Sequence, residues 1–133
     1  MTNCVQGVVP PMVTPLKADG TLDVAGTERL VAHILAGGVH GLFLLGTTGE
    51  APDLPYEVRR DLIRTVCAKI KQSDNPTIPV LVGITDTVFS ESLKLAEFAK
   101  SCGASALVAA PREPFNETDR ELIRQRLVEL GAL

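Results

Sequence analysis

The sequence contains no tryptophan, one tyrosine and four phenylalanines, so aromatic side chains make up only 4% of it. There is little material for a platform on which nucleic-acid bases could stack. Basic residues are also short: 13 Lys and Arg stand against 16 Asp and Glu, a formal net charge of −3. No basic stripe can follow a phosphate backbone, and nucleic-acid binding is not expected. No apolar run approaches the roughly 18 residues that a membrane helix needs. The N-terminus has no basic stretch followed by a long apolar one, so a cytoplasmic protein without membrane contact is expected. The three cysteines, Cys4, Cys67 and Cys102, are odd in number and far apart. No CxxC or Cys/His ligand spacing occurs, which points to reduced thiols and no metal. The nucleophile elbow, the P-loop and the dinucleotide glycine fingerprint are absent as well.

What is present is an ordinary folding composition. Residues of the AVILMFWYC set make up 45% of the 133 positions and charged residues 22%. That excludes a disordered chain and fits one domain. Val8-Val9 and Met12-Val13 flank Pro10 and Pro11 and read as a short extended segment, because proline cannot donate to a ladder. Lys17 to Gly20 is a turn. Asp23 looks like an N-cap for a helix carrying Val24, Thr27, Val31, Ile34 and Leu35 on one face, ended by Gly37-Gly38. Gly41 to Leu45 is a short continuous apolar run, as in a strand buried on both faces. A helix over about 55–71 has the apolar stripe Val58, Leu62, Val66 and Ile70, with Arg59, Arg60, Arg64 and Lys71 mostly solvated. After the loop Ser73 to Pro76 come a strand at Val80 to Gly83, a helix capped by Ser90 and ended by Gly103, and a strand at Ala106 to Ala109. A loop at Pro111 to Pro114 follows. A capping box at Thr118 and Glu121 then opens a last helix lined by Leu122, Ile123, Leu127 and Leu130, which stops at Gly131. The order βα-βα-βα-βα predicts an α/β fold with a parallel sheet and right-handed crossovers. Periodicity alone leaves open an open sheet or half of a barrel. A complete (β/α)8 barrel needs at least about 200 residues and does not fit.

Gly46-Thr47-Thr48-Gly49-Glu50, between a strand and a helix, is the most informative local feature. Glycines let the backbone turn tightly and approach a ligand, and two adjacent hydroxyls beside backbone N–H groups suit a small carboxylate or phosphate. The competing reading is a turn whose hydroxyls only cap the backbone. Glu50 has no carboxylate partner at a recognisable spacing and reads as a helix-start or hydrogen-bonding residue. His33 and His40 have no metal-ligand neighbours and read as surface or partly packed histidines.

Several segments together resemble a known family. GVVPPMVTP (residues 7–15) resembles its first strand, and LFLLGTTGEAPDL its second strand, ligand loop and next helix start. PVLVGI resembles the third strand, and SCGASALVAAP the end of the third helix and the fourth strand. This is the pattern of the dihydrodipicolinate synthase and N-acetylneuraminate lyase family, matched over about residues 5–111. The resemblance implies a class I aldolase on a (β/α)8 TIM barrel. In that chemistry a lysine forms a Schiff base with pyruvate, an aldehyde is added or released, and no metal or organic cofactor takes part. Thr47 and Thr48 match the two hydroxyl residues that hold the pyruvate carboxylate, the first also serving a tyrosine-based proton relay. Gly46 and Gly49 match the turn glycines.

Departures from the family pattern shape the expectation. The fourth strand leads in the family to Pro-Tyr-Tyr, but here Pro111 is followed by Arg112 and Glu113. The tyrosine of the fifth strand and the Schiff-base lysine of the sixth have no counterpart. Lys17, Lys69, Lys71, Lys94 and Lys100 all fall in a turn or on helices. No catalytic residue is assigned. The tail EPFNETDRELIRQRLVELGAL resembles the family's last segment, so the join near Pro111 to Phe115 reads as an internal deletion of strands five to eight. Residues 1–111 would form a half-barrel of four βα units, and 112–133 a loop and C-terminal helix. Such a truncated member would hold a pyruvate-like 2-oxo acid but be inactive alone. It would need a second copy or a partner chain to cover the open half-barrel. The alternative is a non-catalytic half-barrel that binds a small carboxylate or assembles with another chain. Relatives use aspartate semialdehyde, N-acetylmannosamine or sugar-acid aldehydes, and the residues selecting among them lie mostly in the missing half.

Overall fold

A computed structural model describes residues 5–110, 117–129 and 131. The element order is α1 (Val24–Ala36), β1 (Leu42–Leu44), α2 (Tyr56–Lys71), β2 (Val80–Gly83), α3 (Phe89–Cys102), β3 (Ala106–Val108) and α4 (Glu117–Glu129). The three strands form one parallel sheet in the order β1-β2-β3, with Phe43 opposite Leu81 and Leu81 opposite Ala106. The extended segment expected at the N-terminus lies along the free side of β1. The Met12 amide donates to the Phe43 carbonyl (2.8 Å), Phe43 N–H to Pro10 (3.1 Å) and His40 N–H to Val8 (2.8 Å). Among the described residues of this segment, Pro11 and Phe43 alone bridge to β1, because Pro10 and Pro11 bring no N–H to the pairing. Four chain segments thus run parallel in sequential spatial order.

That order, with burial, decides the architecture. A doubly wound sheet reverses its strand order and covers both faces with helices. Here the order never reverses, and one face takes all the core. Leu42, Leu44, Val80 and Val82 are buried under α1–α3, with Val31, Leu62, Ile63, Val66, Leu95 and Ala99 from the helices. On the opposite face Phe43, Leu81, Ala106 and Val108 are only half-buried. This is the strand sequence and one-sided helix layer of a (β/α) barrel, with the barrel's inner face uncovered among the described residues. Phe43 therefore corrects the expectation of a strand buried on both faces, since it stays half-buried, its ring covered by the turn at Gly46 and not by a layer of helices.

Local signals explain most boundaries. Asp23 caps α1, its Oδ1 accepting the Gly26 N–H at 2.9 Å. Asp23→Ala is expected to cost about 1 kcal/mol in urea unfolding, the usual value of a lost N-cap. The buried Thr27 hydroxyl donates to the Asp23 carbonyl at 2.8 Å. The α2 stripe Val58, Leu62, Val66 and Ile70 is buried as expected, with Ile63 and Cys67 beside it. Burial pushes the Cys67 thiol up to about 11, which leaves it protonated and inert. Cys102 is likewise a free thiol, and Cys4 lies outside the described residues.

Four expectations are corrected. Val24, the first residue of α1, is 47% exposed. Ser90 does not cap α3: the helix begins at Phe89 after Val88, and the Val88 N–H is taken by Asp86 instead. Thr118 lies inside α4, which already starts at Glu117, so the capping box is displaced. Leu122 is 49% exposed, and none of the described side chains of α4 is buried. The Pro111–Phe115 join, with Arg112 and Glu113, and Leu130 lie outside the described residues. No described helix is long and apolar enough to cross a membrane, and no three His, Cys, Asp or Glu side chains gather as around a metal ion among the described residues.

Candidate active site

In parallel α/β folds, ligands collect where the strands end at their C-terminal side. A cavity of about 410 Å³ lies there, walled by the loops that follow β1, β2 and β3. Gly46 and Thr47 come from the first loop, Thr85 and Asp86 from the second and Ala110 from the third, with Gly83 and Val108 at the ends of β2 and β3; Arg59 of α2 closes the wall.

The first loop leaves the strand abruptly. Leu45 is buried yet has φ +58°, a left-handed conformation that a leucine adopts at a cost. Gly46 then runs over the Phe43 ring, so closely that a Cβ at this position would lie 2.8 Å from the ring. Thr47–Gly49 make one 3-10 turn, Ala51–Asp53 another, and Glu50 between them sits at φ +55°. The Thr14 hydroxyl donates to the Gly49 carbonyl at 2.8 Å, tying this loop to the N-terminal segment.

Of the four residues read as binding a ligand, Gly46 and Thr47 are in the cavity wall. Thr48 is exposed beside it, and Gly49 is buried against the Met12 carbonyl, so neither contributes to the wall. Glu50 does not start α2 but ends the first 3-10 turn, its side chain exposed. His33 is exposed on α1. His40 is exposed too, and its Nδ1 accepts the Val8 N–H at 3.1 Å, which fixes the N-terminal segment.

None of the five lysines is in the wall. Lys17 and Lys100 are exposed, and Lys69 is half-buried on α2. Lys71 donates to the Cys102 carbonyl at 2.9 Å. Lys94 donates to Glu91 at 2.7 Å, and that hydrogen bond raises its pKa, the opposite of what an amine nucleophile needs. Tyr56 is half-buried at the start of α2, with its phenol pushed up by burial, and also stands apart from the wall.

The sequence reading missed Arg59 and Asp86. Arg59 is not solvated: its side chain is only 11% exposed and that of Asp86 16%, with Arg59 NH1 2.8 Å from Asp86 Oδ2. The Val88 amide first, and the Arg59 guanidinium with it, hold the Asp86 carboxyl below the usual carboxylate range. Two signals were available. Arg59 lies one turn before Leu62 and Ile63, on the core side of its helix. Thr85 and Asp86 directly follow a parallel strand, where such folds place their ligand-facing residues.

Comparison with known proteins bears directly on this arrangement. The model of the dihydrodipicolinate synthetase family matches residues 4–118. A 4-hydroxy-tetrahydrodipicolinate synthase from Herminiimonas arsenicoxydans is 35% identical over 102 residues, 77% of this chain and 34% of that protein. The crystal structure of dihydrodipicolinate synthase from Bacteroides thetaiotaomicron superposes with a TM-score of 0.81 at 44% identity, covering 98% of this chain and 43% of that one. YagE from Escherichia coli K12, a family protein solved in complex with pyruvate, superposes with a TM-score of 0.76 at 31% identity, covering 94% of this chain and 40% of its own. The chain thus spans about a third of the curated relative and about two-fifths of the solved chains. On the match to residues 4–118 and the shared half-barrel, the chain belongs to the dihydrodipicolinate synthetase family.

Proposed function

We propose that these residues form the carboxylate-holding half of a Schiff-base aldolase acting on pyruvate or a similar 2-oxo acid. The observation that carries the reading is the Gly46–Thr47 corner of the cavity, at the C-terminal ends of parallel strands. A carboxylate needs several donors, and the Thr47 and Thr48 hydroxyls with the first amides of their turn supply them without a buried cation. The pyruvate bound in the YagE structure supports the ligand class. The lysine that would form the imine comes, on this reading, from a second, different polypeptide, which also covers the inner face of Phe43 and Leu81. By itself the 133-residue chain binds the acid and does not turn it over.

Titration with pyruvate, followed at the backbone amides of residues 46–50, tests the binding claim. Saturable shifts in roughly the millimolar range are expected, a free energy near −4 kcal/mol. Thr47→Val removes a hydrogen bond to a charged group, worth ~1.5–3 kcal/mol, and should weaken binding at least about tenfold. Thr48→Val ranks the second hydroxyl against it. Unchanged affinity in Thr47→Val, or no saturable shift in the unaltered chain, overturns the reading.

A further inference from the structure

Six ion pairs occur among the described residues, and one differs from the rest. Arg59–Asp86 joins residues 27 apart, whereas the other five are local to one helix or its cap. Its side chains are 11% and 16% exposed, while every other ion-paired side chain is at least 34% exposed. An exposed pair is weak and mobile, whereas a mostly buried one is held to a single geometry, since any rearrangement strands a charge away from water.

Both partners also bond to the loops around the cavity. Arg59 Nε donates to the Leu54 carbonyl at 3.0 Å, where the first loop meets α2, and NH1 donates to Asp86 Oδ2 at 2.8 Å. Asp86 Oδ1 accepts the Val88 amide at 3.0 Å. Next to it, the Thr85 hydroxyl accepts the Ala110 amide at 2.8 Å, from the end of the third loop. Side-chain bonds, joined through the Thr85–Asp86 backbone, therefore lead from the loop after β1, across α2, to the loops after β2 and β3.

We propose that Arg59 and Asp86 act as a positioning pair, a clamp that fixes the loop after β1 against the loop after β2 and so sets the separation of Thr47 and Thr85 across the cavity. The clamp is a property of the loops; that it serves a carboxylate rests on the function proposed above. The planar fork matters as much as the charge. Lysine carries its three donors on one nitrogen and has no second nitrogen to reach Leu54 while the first meets Asp86, as Nε and NH1 of Arg59 do.

Amide hydrogen exchange on the full chain tests the clamp without any ligand. Arg59→Gln and Asp86→Asn are each expected to speed exchange about tenfold or more in both loops, at Gly49, Glu50 and Leu54 on one side and at Val88 and Ala110 on the other. The double variant should be no faster than either single one, and the amides buried in α2 and β2 should keep their protection. Arg59→Lys, which keeps the charge, guards against loss of fold and should loosen both loops too. Faster exchange confined to the loop carrying each substitution overturns the proposal, because two independent caps would explain it. So does rescue to unaltered rates by Arg59→Lys. Pyruvate titration of the same variants separates the two ideas. Binding by the unaltered chain with equal affinity in a loosened Arg59→Gln variant overturns the positioning role. Coupled loosening with no pyruvate binding by any variant supports the clamp and removes the carboxylate reading.

Discussion

Gly83→Ala is expected to lower the stability of the chain by about 3 kcal/mol, the upper end of overpacking costs, and its midpoint of thermal unfolding by roughly 10 °C. A Cβ at Gly83 would collide with the Leu45 carbonyl oxygen, with the Leu45 carbonyl carbon next at 2.8 Å. These are backbone atoms and cannot rotate away as a side chain would. Leu45 is already committed, buried and left-handed, and its carbonyl lies over Gly83 because of that conformation. Gly83 therefore lets Leu45 turn, and the turn of Leu45 sends Gly46 and Thr47 into the cavity wall. The same substitution should move the amide signals of residues 45–50, although Gly83 lies on another strand. Gly20→Ala provides the comparison: φ there is +80° but no atom lies within 4 Å of the added carbon, so only the conformational cost of about 1 kcal/mol applies. Gly83 has no positive φ, so equal losses in the two variants, measured by urea unfolding, would show that the Leu45 contact costs no more than an ordinary left-handed alanine and would refute the collision.

This contact also marks where sequence reading reaches its limit. The alternation of apolar strands and amphipathic helices, the Asp23 cap, the α2 stripe and the glycine ends of α1 and α3 are written in local patterns, because each depends on residues within one or two turns. The parallel sheet followed from the order of the elements. Sequential strand order, which separates a barrel from a doubly wound sheet, depends on which strands lie side by side; periodicity left it open, and in the sequence only the family resemblance pointed to the half-barrel. The site divides the same way. Thr47 and Gly46 were legible as a glycine-flanked hydroxyl pair after a strand. Arg59 was not, since a helical arginine beside two others reads as a solvated face, and only its partner across 27 residues changes that. Arg60, its neighbour, stays exposed with its guanidinium 4.2 Å from the Phe98 ring centre. Asp86 was hidden for a similar reason: it caps the approach to α3 from two residues before Val88, where a search for a side chain at the helix start finds Ser90.

Incubation of the chain with pyruvate and borohydride is expected to leave its intact mass unchanged. An imine forms when an uncharged amine attacks the ketone and water leaves, and borohydride then fixes it as a secondary amine carrying one reduced pyruvyl group. The attacking nitrogen must be partly neutral near pH 7, which requires burial or a cationic neighbour. No lysine of this chain meets that condition at the cavity. All five stand outside its wall, and Lys94 and Lys71 are held on helix surfaces by the Glu91 carboxylate and the Cys102 carbonyl. The uncovered face of Phe43, Leu81, Ala106 and Val108 is where a complementing half-barrel would pack. A polypeptide holding the remaining strands of a full-length relative, mixed with this chain before trapping, should take up the pyruvyl group itself. The chain should stay unmodified while those four residues lose solvent exposure. Thr47→Val in this chain should then slow labelling of the added polypeptide, since the carboxylate and the imine belong to one ligand held from two sides. A stoichiometric adduct on a lysine of the chain alone would refute the division of labour, and labelling of the added half at the same rate without this chain would show that the carboxylate site lies elsewhere.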